Sequence, residues 1–372
     1  MPKRRSRFDA RAAFLIASLF AQGCSPSTPS TSSAAPGPTP SSIAPQTVAP
    51  RTETPPAAAP IEAPTHTAQV VLNDSAATPT VRLLFTGDIN PSRCPAQAAL
   101  EADDFTVPYV DVADGLQAAD LTIGSLDGAL SDRTAPAPCA TETEYNLVGP
   151  TRTVEGLTYA GFDVVTLATN HAQDCGHLGF VCDGLTLIDT LVALRAAGIE
   201  PVGAGHNLAE ARRAVVVERN GLRLAFLAVS AVGDFAWASA DTAGTAPLSD
   251  GHLQQVLRDI ATARDTADVI IVLVHWGVEY DDTPSADQRR WARRMVDAGA
   301  DLIVGNHPHV SQPIEALDGG LVAYALGNFV FDQDPDATRH GLVLETIFDS
   351  SGLQSWRSLP IEIVQLYKPE WR

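Results

Sequence analysis

Apolar residues recur along this chain in two rhythms. Short runs of bulky or β-branched residues stand at 81–86, 120–124, 164–168, 222–229, 269–274, 301–304 and 321–326, each about the length of a buried strand. Between them, apolar positions return every three or four residues over 183–197, 252–264 and 286–298, the rhythm of helices with one face on a core. The last helix carries its own boundaries. Ser285 and Gln288 stand at capping-box spacing, and Gly299 follows where a C-terminal glycine belongs. After Gly327 the pattern turns to strand-rich segments at 341–347 and 361–367. Strand and helix alternate from about residue 80 with no internal repeat, which predicts one α/β domain with mixed rather than purely parallel sheets.

Polar residues of one chemical kind follow these runs. Val81 to Phe85 leads into Thr86-Gly87-Asp88, and the run near 120–124 is followed by Leu126-Asp127. The run at 164–168 leads into Thr169-Asn170-His171, and Val269 to Val274 leads into His275-Trp276-Gly277. Leu302-Ile303-Val304 leads into Gly305-Asn306-His307-Pro308-His309. Proline fixes the backbone between the last two histidines, and an extended His-x-His would throw both rings to one side. Carboxylates, an amide oxygen and imidazoles at the carboxyl ends of several strands describe a site on one sheet edge. That donor set suits divalent Mn, Fe or Zn, and a shared carboxylate can hold two ions about 3.5–4 Å apart.

The N-terminus reads as an export signal. Lys3, Arg4, Arg5, Arg7 and Arg11 precede an apolar stretch from Ala12 to Ala21, too short to span a bilayer as a stable helix. It ends in Phe20-Ala21-Gln22-Gly23-Cys24, similar to a bacterial lipobox, in which the cysteine is lipidated and becomes the N-terminus. Eleven prolines lie among Ser, Thr and Ala between residues 25 and 66, a composition that stays extended and forms no core. The expected organisation is a signal peptide at 1–23, a tether at 24–79 and a folded domain at 80–372.

Charge narrows the partners. Residues 1–23 carry five basic residues and one acid, so without them the net charge falls from −19 to −23. A field of that sign opposes nonspecific binding to nucleic acid. Arg289, Arg290, Arg293 and Arg294 form one basic cluster at helical spacing, which reads as a solvated helix face.

Taken in order, GDIN, SLDGAL, ATNHAQDCG, GAGHNLAEA, VHWGVEY, GNHPHVSQPIE and ALGNFVFDQ resemble the poly-γ-glutamate capsule biosynthesis protein family, often called the CapA family, itself related to calcineurin-like metallophosphatases. The resemblance runs from about residue 80 to about residue 335. It implies a metallophosphatase-like four-layer sandwich of two mixed β-sheets flanked by helices. It also implies two divalent ions held by Asp88, Asp127, Asn170, His275, His307 and His309, with His171 as the acid near a leaving group and Asp174 orienting it. The family's usual Asn-Leu-Glu stands here as Ser125-Leu126-Asp127. Asn90 stands where metallophosphatases commonly carry a histidine. Glu279 and Asn328 would line the pocket or cap turns.

Two functions fit. One is a metal-dependent hydrolase or transferase in the cell envelope, lipid-anchored through Cys24 on the outer side of the cytoplasmic membrane or in the periplasm, and acting on a phosphoester or an envelope polymer. The other is a non-catalytic component that assists assembly or export of such a polymer. The remaining cysteines, Cys94, Cys139, Cys175 and Cys182, suit two disulfides in an exported protein. Pairing Cys94 with Cys139 and Cys175 with Cys182 would brace the loops beside Asp127 and His171.

Overall fold

A computed structural model describes residues 78–139, 145–176 and 182–372. Apart from residues 78 and 79, the expected signal segment and tether lie outside this range. The folded part is a mixed α/β structure with two large sheets. In the eight-stranded sheet the order is Lys368–Trp371, Gly352–Val364, His340–Asp349, Val81–Ile89, Leu121–Leu126, Phe162–Thr166 and Glu200–Val202, with Asn328–Val330 also paired to Val81–Ile89. Its half from Val81–Ile89 to Glu200–Val202 is parallel, and its C-terminal half is antiparallel. The six-stranded sheet runs Ile314–Leu317, Gly320–Ala323, Leu302–Asn306, Val269–His275, Leu222–Ser230 and Val215–Arg219, parallel inside and antiparallel at both edges.

Alternation along single strands builds the layers. Val269, Ile271 and Leu273 face the other sheet, where Leu83, Phe85, Ile123 and Val164 meet them. Ile270, Val272 and Val274 face the helices Asp250–Ala263 and Ala286–Asp297 through Val256, Ile260, Ala292 and Met295. Both faces of the strand are therefore apolar, which is why it reads as one unbroken run. On the far side, Leu84 and Val165 pack against Leu116, Leu157, Leu187 and Leu191 of three further helices. Helices, sheet, sheet and helices make the four layers expected, and each fully buried Leu, Ile or Phe contributes roughly 1.5–3 kcal/mol.

The helix Ala286–Asp297 opens with the complete capping box of Ser285 and Gln288. Its arginines form a solvated face: Arg289 pairs with Glu315, and Arg290 with Asp250 and Asp287. Both expected disulfides, Cys94–Cys139 and Cys175–Cys182, are formed. Among the described residues no helix is long and apolar enough to cross a membrane.

The segment expected at 361–367 differs. The strand instead spans Gly352–Val364, and the chain reverses through Gln365 and Leu366 in the left-handed region before Lys368–Trp371. The exposed stretch Gln354 to Ser358 is polar except for Trp356 and carries no run of apolar residues; its ladder to His340–Asp349 makes it a strand. The run at 321–326 stops being strand after Ala323; there the Tyr324 carbonyl accepts the indole N–H of buried Trp276 at 2.8 Å.

Candidate metal centre

Parallel strands bring their carboxyl ends to one edge. Asp88 lies near the end of Val81–Ile89, Asp127 follows Leu121–Leu126 directly, and His275 ends Val269–His275. Asp88 depends on a close backbone approach: its N–H donates to the Gly327 carbonyl at 2.9 Å, and a Cβ on Gly87 would lie 2.0 Å from that same oxygen. The Asp88 carboxylate accepts from the Ser125 hydroxyl at 2.8 Å and from the His307 N–H at 3.0 Å. The second bond joins the edges of the two sheets.

His307 and His309 do come together, though not by strand alternation. Both lie in a bend, with φ of +98° and +60° around Pro308. Such backbone costs on the order of 1–3 kcal/mol per residue and persists where surroundings over-determine it. Here the His307 N–H is held by Asp88, and the Pro308 carbonyl accepts from the Tyr280 N–H at 2.8 Å. The His307 ring centroid lies 4.7 Å from His275 and 6.0 Å from His309.

All six residues expected as ligands are drawn to one place. Ligand atoms of Asp88, Asp127 and His309 lie within 4.8 Å of one another. His275 Nε2 is 2.7 Å from Asn170 Oδ1 and 3.9 Å from Asp127 Oδ1. Asp127 is fully buried, and neither of its oxygens has a hydrogen-bond partner among the described residues; the same holds for Nδ1 of His275 and of His307. Buried polar atoms without partners cost roughly 1–3 kcal/mol each, and more when charged, so this cluster is built for something that supplies the missing partner. Burial, then Asp127, pushes the Asp88 carboxyl well above its ordinary pKa. Burial, then the neighbouring imidazoles, holds His275 well below its ordinary value. Burial foremost lowers His307 and His309 to about 4. Neutral imidazoles beside crowded carboxylates offer lone pairs and a negative field, the donor chemistry of a divalent cation site.

Around this core stand residues that orient it. Asn328 Oδ1 lies 2.9 Å from His309 Nδ1 and fixes that ring. Asp174 Oδ2 lies 2.7 Å from His171 Nδ1 and also accepts the Leu147 N–H at 2.6 Å. Burial works to lower the His171 pKa, but Asp174 and Asp127 outweigh it and carry the ring up to about 9. Asn90 takes a different part from a ligand's. Its oxygen accepts the Ser92 N–H at 2.8 Å and its amide donates to Asp332 at 3.0 Å. Asp332 also accepts from the Arg93 guanidinium and, at 3.1 Å, from the Cys94 N–H. Ser125, Arg93 and Asp332 escape a reading based on metal donors alone. Their signal was position: Arg93 sits five residues after Asp88, and Asn328 and Asp332 both lie within ALGNFVFDQ. Exposed Glu279 brings a carboxylate within 4.8 Å of ligand atoms of His307 and His309.

Several known proteins are similar to this chain. The chain is 35% identical over 224 residues to the PGA biosynthesis protein CapA of Bacillus subtilis, a match covering 60% of this chain and 56% of that one. It is 36% identical over 224 residues to the capsule biosynthesis protein CapA of Bacillus anthracis, covering 60% and 53%. The chain thus spans about half the length of these relatives. Among solved structures, a 5'-nucleotidase precursor from Thermus thermophilus is similar at 15% identity and a TM-score of 0.47, over 78% of this chain and 55% of that one. The family model for the bacterial capsule synthesis protein PGA_cap matches residues 82–333, and the chain belongs to that family.

Proposed function

We propose that this chain is an exported, lipid-anchored protein of cell-envelope or capsule polymer biosynthesis, of the poly-γ-glutamate type, and that it performs metal-dependent hydrolysis or group transfer. The observation that carries this reading is Asp127, a buried carboxylate with both oxygens unpartnered among the described residues, lying between two sets of donors. Asp88, Asp127 and His309 would hold one divalent ion, and Asp127, Asn170, His275 and His307 a second. Bound there, such ions supply Lewis-acid polarisation of a phosphoryl or carbonyl oxygen and acidify water. The chain's own residues do the rest. His171 keeps Nδ1 on Asp174, so its other nitrogen is the one to deliver a proton to a departing oxygen. Asn328 keeps the His309 ring in place, and Ser125 with the His307 N–H steadies Asp88.

Metal analysis and a phosphoesterase screen on protein lacking residues 1–66 test this reading. About two divalent ions per chain, with turnover lost on chelation, are expected. Stoichiometric metal without turnover on any ester would instead favour a non-catalytic part in polymer assembly, and absence of metal would refute the site. For the anchor, mass spectrometry should find a lipidated Cys24 at the mature N-terminus, and Cys24→Ser should release the protein. An unlipidated N-terminus downstream of Cys24 would overturn it.

A further inference from the structure

Aromatic side chains beside the centre are left open to solvent. Phe235 is 74% exposed and Tyr280 53% exposed, on separate loops. Tyr280 lies over His309, with ring centroids 6.3 Å apart. Phe235 adjoins Asn170: a Cβ on Gly233 would meet Asn170 Cβ at 2.6 Å and Phe235 Cζ at 3.3 Å. Tyr145, 71% exposed, is two residues from the Leu147 N–H that Asp174 accepts.

These rings are exposed yet held. Buried Gln288 accepts the Ser285 N–H and donates to Gln312 at 2.8 Å, and buried Gln312 donates to the Asp281 carbonyl at 2.8 Å. Gln333 reaches the Tyr280 hydroxyl at 3.3 Å, and the Tyr280 N–H is tied to Pro308. On the other side Gln173, two residues after His171, donates to the carbonyls of Ala236 and Ala243 at 2.9 Å and pins the turn that carries Phe235. Large rings fixed in water beside a concentration of polar donors are binding walls more than packing residues. Acidic side chains stand beside them in the loops: Glu279 flanks Tyr280, exposed Asp281 and Asp282 follow it, and Asp234 precedes Phe235, while the cation nearest Tyr280 and His309, Arg93, is buried and paired with Asp332.

We infer that the centre takes a phosphoester whose leaving group carries a ring with a flat or C–H face, stacked against Phe235 or Tyr280, rather than a run of free carboxylates. This deepens the metal-hydrolase reading and rests on it. Ring stacking adds attraction that a small alkyl group lacks, whereas successive γ-linked carboxylates would meet Glu279, Asp281 and Asp282 at like charge.

The test uses the full chain loaded with Mn and two phosphonates that cannot be hydrolysed, compared by calorimetry. Phenylphosphonate is expected to bind about tenfold tighter than methylphosphonate. Phe235→Ala and Tyr280→Ala should each shrink that ratio, Tyr280→Phe should retain it, and Trp356→Ala, on an exposed strand of the C-terminal half-sheet, should leave it unchanged. A γ-linked glutamate trimer should fail to displace phenylphosphonate. Competition by adenosine monophosphate and by glucose 1-phosphate then separates a base face from a sugar face. Equal affinity for the two phosphonates, a ratio that survives in the Phe235→Ala/Tyr280→Ala double variant, or displacement by the glutamate trimer would overturn the inference while leaving the metal reading intact. Binding of neither phosphonate to the Mn-loaded chain would overturn the inference and the phosphoesterase reading together, while the bound Mn would leave the metal site standing.

Discussion

Replacing Asp127 by Asn should make the metal-free protein more stable and the metal-treated protein less responsive, an inversion that a merely structural carboxylate would not produce. Asp127 is fully buried without a hydrogen-bond partner among the described residues, which costs at least about 1–3 kcal/mol. Its ligand oxygen lies within 4.8 Å of that of Asp88. Two charges at that distance repel by about 3 kcal/mol at an effective dielectric near 20. The Asp88 carboxyl, raised by burial and then by Asp127, relieves part of this by retaining a proton. An amide carries no charge and can donate to Asp88, so the metal-free variant is expected to gain about 1–3 kcal/mol. With metal the order of response reverses. At a hundred times Kd each ion bound only by the folded state stabilises the wild type by about 2.7 kcal/mol, and the variant, lacking the carboxylate proposed to be shared, should gain little.

Urea unfolding followed by tryptophan fluorescence, in chelator and then in excess Mn with the disulfides intact, measures both halves as shifts of the midpoint at constant slope. Lower stability of Asp127→Asn than of the wild type in chelator would refute a buried repulsion at Asp127. Equal shifts of both proteins on adding Mn would refute its part in holding metal.

Gly87→Ala should lose metal and about 1–3 kcal/mol or more of stability, because its Cβ would stand 2.0 Å from the Gly327 carbonyl oxygen and displace Asp88; metal content and a urea midpoint check it, and an unchanged midpoint would refute the close approach. His171→Asn should keep metal content and lower kcat by roughly 10²–10⁴, and Asp174→Asn should lower it less; steady-state kinetics on a phosphoester separates them. Glu345→Gln should cost about 1–2 kcal/mol at neutral pH, a value held down by the exposure of Arg357. Arg357 first, and then Arg82, hold the Glu345 carboxyl below its usual 4.5 against its burial. Its contribution is therefore present above about pH 4.5 and lost as pH falls through the folded-state value, so wild type and variant should converge in acid.

The candidate ligands were legible because of how this fold buries its strands. A strand covered on both faces must be apolar at every position, so the first carboxylate, amide or imidazole after the run marks the sheet edge, as Asp127 does after Leu126 and His275 after Val274. Local chemistry was legible too, as at Ser285 and Gln288, where cap and partner are three residues apart. What stayed hidden depends on partners far away in sequence. The left-handed backbone of His307 is held by Asp88, 219 positions earlier, and no local rule forbids the extended His-x-His that the spacing suggests. The exposed strand from Gln354 to Ser358 exists only through its ladder to His340–Asp349.

Asn90 illustrates the same limit from the other side. By residue type it is a passable ligand, two positions after Asp88 in a strand-end motif, yet its amide is committed to Asp332, 242 positions later, and its oxygen to Ser92. Asp332 in turn gathers Arg93 and the Cys94 N–H, so one buried carboxylate organises the whole turn that follows the first strand. The centre proposed above would be asymmetric. Ligand atoms of Asp88, Asp127 and His309 lie within 4.8 Å of one another and would offer one ion three donors, while Asp127, Asn170, His275 and His307 would offer the second ion four. Fewer donors leave more of an ion's coordination to solvent or substrate, so the position beside Asp88 is the one expected to empty first under a chelator, and the imidazoles of His275 and His307 the last to lose their ion.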